Sequence, residues 1–252
     1  MARKSPADSG PDVSPFLYAD YVETKKTLTS ALKGPCFYAT VTGASGMGKT
    51  ELGRDISQSL DTHRYQIVYL TSANISLVSI VRFLAQRLLV GARRSYLETV
   101  DVIAETISAQ TAHMVLWLDE ADRLEPDTLS ELRTLAEHKL QSRQIVTLVL
   151  CGLPTLQGKL EAPALFPLKR RIAHRLTLTG LRRDELDAFL SHRFGSGHAH
   201  RIPTSARDEL FERTQAAPAL IDQVCRHALA KAKTSETLDP ELIRAVLDTH
   251  GL

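Results

Sequence analysis

Cys36–Leu52 reads CFYATVTGASGMGKTEL, and Gly43–Thr50 within it fits G-x-x-x-x-G-K-[ST] at every fixed position. Phe37–Thr42 alternates bulky and β-branched residues, the pattern of a buried strand. The glycines that follow let the backbone turn so that successive N–H groups converge on phosphate oxygens. From Lys49 a helix begins, and its N-terminal dipole favours the same anion. Lys49 supplies a mobile positive charge for the outer phosphates, and Thr50 a hydroxyl for Mg²⁺. Phosphate contact is assigned to Gly43, Ser45, Gly46, Met47, Gly48, Lys49, Thr50 and Glu51.

A second run completes that chemistry. His113–Leu118, HMVLWL, is unbroken in hydrophobicity and ends in Asp119-Glu120-Ala121-Asp122. Continuous apolar character suits a strand covered on both faces, as in a parallel sheet. Carboxylates at its carboxyl end lie where open α/β sheets bind ligands. In this Walker B pattern Asp119 holds Mg²⁺, directly or through water, and Glu120 polarises the attacking water. Asp122 is the alternative base.

Composition bounds the rest. The chain has 252 residues, 43% hydrophobic and 24% charged, an ordinary globular balance. With 31 basic against 29 acidic residues there is no global field for nucleic acid, so any such surface must be local. Cys36, Cys151 and Cys225 lie far apart in apolar runs, which excludes a disulfide framework and fits a reducing, cytoplasmic setting. No stretch approaches the roughly 20 apolar residues of a membrane span, and no apolar signal segment opens the chain.

Residues 1–14 lack periodicity and read as a disordered leader. Helical spacing appears at Phe16–Leu32, Thr50–Leu60, from Ser76, at Tyr96–Gln110 and at Pro126–Gln141, the last with Asp127 as a candidate N-cap. Gln66–Thr71, Gln144–Cys151 and His174–Leu178 read as further strands. From Leu181 only helices follow, at Arg182–Phe194, Ser205–Thr214, Pro218–Lys233 and Pro240–Thr249. The histidines of Gly195–His200, with His192, are expected in a solvated loop, because no Cys or acidic ligand stands at metal spacing.

Taken in order, GASGMGKT, VLWLDEAD, VLCGLPTL, RRIAHRLTLTGL and APALIDQVCRHAL resemble the AAA+ ATPases. The likeness runs from about Phe16 to Thr249 and is greatest to the branch of the secretion ATPase ExeA and the transposition ATPases TniB, TnsC and MuB. It implies a P-loop three-layer α/β sandwich with a five-stranded parallel sheet over residues 15–180. A small all-α lid follows over 181–252. It implies ATP and Mg²⁺ as cofactors, hydrolysis that is slow and oligomer-dependent, and ATP-driven self-assembly into a ring or helical filament. Thr155 falls at sensor 1, and Arg171, then Arg170, fits the arginine that reaches a neighbour's ATP. Secretion-type relatives carry Gly-x-Pro-Arg in the lid, whereas this chain has Ala216-Ala217-Pro218-Ala219, so Ala219 replaces the sensor 2 arginine.

The branch also implies duplex DNA and a transposase as partners, with no membrane. Arg93, Arg94, Lys139 and Arg143, in or beside loops, are the candidate DNA contacts. An ExeA-like ATPase for secretion-complex assembly and a nucleotide-switched scaffold without DNA are the alternatives.

Overall fold

A computed structural model describes residues 14–71, 75–91, 95–138, 143–232 and 237–252. The leader expected at 1–14 lies outside them except for Ser14. Among the described residues, packing divides the chain into two units: one within 24–43 and 49–177, the other within 14–23, 44–48 and 178–252. The sequence expectation places all of 15–180 in the α/β part and begins the helical part at 181.

The first unit is built on a five-stranded sheet of β1 (Tyr38–Gly43), β2 (Tyr65–Thr71), β3 (His113–Asp119), β6 (Val146–Gly152) and β7 (Ile172–Leu178). Their spatial order is β2-β3-β6-β1-β7. β1 and β6, β3 and β6, and β2 and β3 run parallel, with Thr42 opposite Gly152, Leu118 opposite Leu150 and Thr71 opposite Asp119. These pairings bring the carboxyl ends of four strands to one edge. β1, β6 and all of β3 beyond His113 are buried, so unbroken apolar runs suit them.

Helices α2 (Lys49–Ser59), α3 (Leu77–Arg87), α4 (Tyr96–Ala109), α5 (Pro126–Ala136), α6 (Thr155–Leu160) and α7 (Phe166–Lys169) flank the sheet; α1 (Ala19–Ala31) precedes it and has residues in both units. α3 opens on the Ser76 hydroxyl, which accepts the Ser79 N–H, the cap its serine suggests. Its buried stripe Leu77, Ile80, Val81, Leu84 enters a core shared with α4 and α5.

Two local expectations fail around α5. The N-cap is Glu125, followed by Pro126 at the first helical position, so Asp127 lies inside the first turn. The helix also stops at Ala136 instead of Gln141. Glu137 is extended because its carboxylate is held by Arg171, by Arg133 at 3.6 Å and by the Tyr38 hydroxyl at 3.4 Å. There β4 (Glu137–His138) pairs antiparallel with β5 (Arg143–Gln144). Tertiary partners outweigh a helical pattern that has no stop residue.

In the second unit a 3-10 turn at Arg183–Glu185 leads to α8 (Leu186–Ala199), α9 (Thr204–Arg213), α10 (Pro218–Lys231) and α11 (Pro240–Thr249). Gly195, with φ 73°, breaks α8, but helix resumes beyond it, so the expected loop at 195–200 shrinks to one residue. His192 meets the Ser14 carbonyl, and His200 the Ser196 carbonyl. Among the described residues no group of three or more His, Cys, Asp or Glu could hold a metal.

Gly53 sits where α2 crosses the sheet. A Cβ there would lie 2.9 Å from the Trp117 ring and 3.0 Å from the Tyr69 ring. Gly53→Ala is expected to destabilise by about 1–3 kcal/mol through overpacking, more than the roughly 0.5–1 kcal/mol that alanine contributes inside a helix. Urea unfolding followed by fluorescence of Trp117, the chain's single tryptophan, checks this; a raised midpoint would refute it.

Candidate nucleotide site

The phosphate-binding loop connects β1 to α2. Gly46 and Gly48 have φ of 81° and 83°, a region open to glycine at little cost. These turns give the segment the form expected of an anion nest. Lys49 folds back and donates to the Gly43 carbonyl at 2.8 Å. Thr50 donates its hydroxyl to Asp119 Oδ2 at 2.7 Å, which joins the two sequence motifs. The Glu51 carboxylate pairs with Arg54 at 2.6 Å, leaving its main chain for the loop.

Asp119 is only 4% exposed. It also accepts the Tyr69 hydroxyl, and its Oδ1 takes the Glu120 N–H at 2.9 Å. Burial first, then the hydrogen bond and charge of Asp119, push the Tyr69 hydroxyl above its usual range. Cys151 lies beside the same carboxylate; burial, then the Asp119 charge, pushes its thiol up as well. Thr50 and Asp119 together form an oxygen donor set suited to a hard divalent cation, and Mg²⁺ fits it.

Glu120 occupies the left-handed region, φ 55° and ψ 33°, and its carboxylate pairs with Arg123 at 3.0 Å on the surface. Left-handed backbone is uncommon for a non-glycine residue and clusters where geometry matters. Asp122 is differently placed: its Oδ1 accepts the Leu153 N–H at 2.9 Å, tying it to the end of β6.

Thr155 is exposed at the first position of α6. The side chain of α6 that reaches β1 is Gln157, donating to Thr42 Oγ1 at 2.8 Å just before the loop. Arg171 bonds Glu137 and the Pro167 carbonyl, whereas Arg170 lies 5.8 Å from the centre of the exposed Phe166 ring. Arg93, Arg94 and Lys139 lie outside the described residues, and Arg143 is placed only by its backbone in β5.

Within the helical unit two carbonyls of the loop tip are held by hydrogen bonds, one from a side chain and one from the backbone. The Tyr18 hydroxyl donates to the Met47 carbonyl at 2.6 Å, and the Ala219 N–H to the Gly46 carbonyl at 3.1 Å. Burial, then Asp20 and Glu185, raises the Tyr18 pKa and keeps its hydroxyl a donor. A Cβ on Gly46 would stand 3.4 Å from the Ala219 methyl and 3.5 Å from that of Ala217. Ala216, in the place of the related motif's glycine, has φ 59°. Tyr18, Tyr69 and Gln157 escaped the sequence reading, since each acts through distant pairing with no local motif.

Residues 37–160 match the family model described as an AAA domain. General secretion pathway protein A of Aeromonas hydrophila is 29% identical over 202 residues, covering 77% of this chain, and the chain spans 37% of that relative's length. Cdc6p from Pyrobaculum aerophilum superposes with a TM-score of 0.69 at 18% identity, over 94% of this chain and 69% of that one. The Aeropyrum pernix ORC1 protein, solved in complex with DNA, gives 0.63 at 18% identity, over 95% and 66%. RuvB from Thermotoga maritima gives 0.59 at 18%, over 90% and 68%. The structural likenesses show the AAA+ P-loop fold, and the family match lies over its α/β part at residues 37–160.

Removing either hydrogen bond to the loop tip is expected to weaken nucleotide affinity about fivefold, the effect of roughly 1 kcal/mol. Tyr18→Phe deletes one donor. Ala219→Pro deletes the other at a first-turn position that tolerates proline. Titration with a fluorescent ATP analogue reads the effect, and wild-type affinity in both variants would show the grip to be incidental.

Proposed function

We propose that the chain is a Mg²⁺-dependent ATPase whose ATP-bound subunits assemble on duplex DNA and regulate transposition by recruiting a transposase. The Thr50–Asp119 hydrogen bond carries the ATPase part, since it brings a hydroxyl and a buried carboxylate together beside the phosphate loop. These two residues would hold Mg²⁺, which when bound supplies charge neutralisation to the phosphate oxygens. Lys49 turns from the Gly43 carbonyl to the outer phosphates. Glu120 leaves Arg123, then orients and polarises the attacking water.

A neighbouring subunit completes the site. Arg171 has its partners within its own subunit, so Arg170 is the better trans donor, and a trans arginine contributes about 10³-fold or more. Thr155, at the first position of α6, is the proposed sensor 1, a role that rests on the family resemblance. The DNA part rests on the resemblance to the transposition branch and on a structural neighbour solved with DNA. Arg93, Arg94, Lys139 and Arg143 are its proposed contacts, in a cytoplasmic protein. No helix among the described residues is long and apolar enough to cross a membrane.

The match to General secretion pathway protein A favours a second reading, an ATPase that drives assembly of a secretion complex. DNA separates the two readings.

Glu120→Gln is expected to keep ATP binding and lower turnover about 10²-fold, the scale of general-base catalysis, while Lys49→Ala loses affinity. Unchanged turnover in Glu120→Gln would move the base elsewhere. Specific activity is expected to rise with protein concentration, and a mixture of Arg170→Ala/Arg171→Ala with Lys49→Ala subunits to regain activity. DNA anisotropy with ATP, ADP and no nucleotide tests the partner. Cooperative, ATP-dependent binding is expected, with a log–log salt slope of roughly −0.9 per phosphate neutralised. No binding at low salt in all three conditions would end the transposition reading.

A further inference from the structure

The amino ends of the strands carry chemistry that nucleotide turnover does not use. Cys36, two residues before β1, places its Sγ 3.7 Å from Nε2 of His113, the first residue of β3. The same nitrogen lies 2.7 Å from Thr147 Oγ1, which also accepts the Phe37 N–H at 3.3 Å. The imidazole is therefore fixed in orientation. Burial holds its pKa below the usual histidine range, so the ring is neutral near pH 7.

His113 also lines a cavity of about 270 Å³ with Lys33, His63, Arg64, Tyr65 and Thr111. The Tyr65 hydroxyl, donating to the Leu32 carbonyl at 3.2 Å, closes one wall. Lys33 and Arg64 are exposed, and neither forms an ion pair with a described residue. The lining contains no carboxylate; Asp61, close by in sequence, accepts the His63 N–H at 2.9 Å. The other two thiols are unlike Cys36. Cys151 and Cys225 are buried, and burial pushes both above the usual range.

We propose that Cys36 is a thiol–disulfide exchange site and that the basic cavity beside it takes an anionic low-molecular-weight disulfide. Cys36 passes its proton to His113 Nε2 as Sγ attacks one sulfur of the disulfide. The Cys36–sulfur bond forms, the disulfide's own S–S bond breaks, and the departing thiolate takes the proton from His113. One disulfide is exchanged for another and one thiol is released, so no outside oxidant is needed. Lys33 and Arg64 raise the local concentration of the anionic reactant; His113 serves any disulfide equally.

Glutathione disulfide, neutral bis(2-hydroxyethyl) disulfide and cationic cystamine, each incubated with the intact chain at low salt, test this by peptide mass mapping over time. One adduct at Cys36 is expected, with none at Cys151 or Cys225. Glutathione disulfide is expected to react about tenfold faster than cystamine, the scale of steering by a charged cleft. Lys33→Ala with Arg64→Ala is expected to erase that ranking and leave the neutral disulfide unchanged. His113→Gln is expected to slow all three about tenfold or more. A His113→Gln chain that also labels Cys151 and Cys225 has unfolded; Thr147→Val, which frees the ring, then decides by the same slowing. Equal rates for the three disulfides, or a Cys36 no more reactive than in the urea-unfolded chain, would overturn the proposal.

Discussion

Asp119 is a carboxylate taken almost wholly out of water at the end of a buried strand. Such a group is costly unless its oxygens are occupied. Here Thr50, Tyr69 and the Glu120 N–H occupy them. The sheet order explains how this happens. β6 separates β1 from β3, so the phosphate loop and the acidic pair leave the same edge one strand apart, with Cys151 beneath. A divalent cation held there would find a carboxylate already aimed and already desolvated.

One strained residue stands next to that carboxylate. Glu120 is left-handed directly after the strand, and the backbone turn lifts its side chain to the surface, where Arg123 holds it. The pairing is exposed, and exposed ion pairs contribute little. The Arg123 contact itself therefore costs little to give up. Asp122, two residues on, is tied instead to the residue that follows β6. Two carboxylates of one short motif thus differ in role through their hydrogen bonds.

The strands and most helices were legible because they obey periodicity: the unbroken run HMVLWL is a wholly apolar central strand, and Ser76 caps the helix its position announces. Pro240–Thr249 matches its expected bounds. The end of α5 was illegible, since Glu137 leaves the helix for partners 34 and 99 residues away. Asp127 misled because Pro126 at the first helical position sets the cap at Glu125, two residues earlier. Of the candidate site, the residues of the two motifs were readable from spacing alone. Tyr69, Tyr18 and Gln157 were not, because a hydroxyl or amide that crosses 50, 29 or 115 residues leaves no periodic trace.

The contact between α10 and the loop tip joins a peptide N–H to a peptide carbonyl. Peptide groups are common to every residue but proline, so this link is written in no particular side chain. What the contact requires is small side chains at Gly46, Ala217 and Ala219 that let two backbones approach. A family tree drawn on the presence or absence of an arginine at position 219 would sort this chain as having lost communication with its nucleotide. In this chain the link between α10 and the loop tip needs no arginine, because it runs from backbone to backbone.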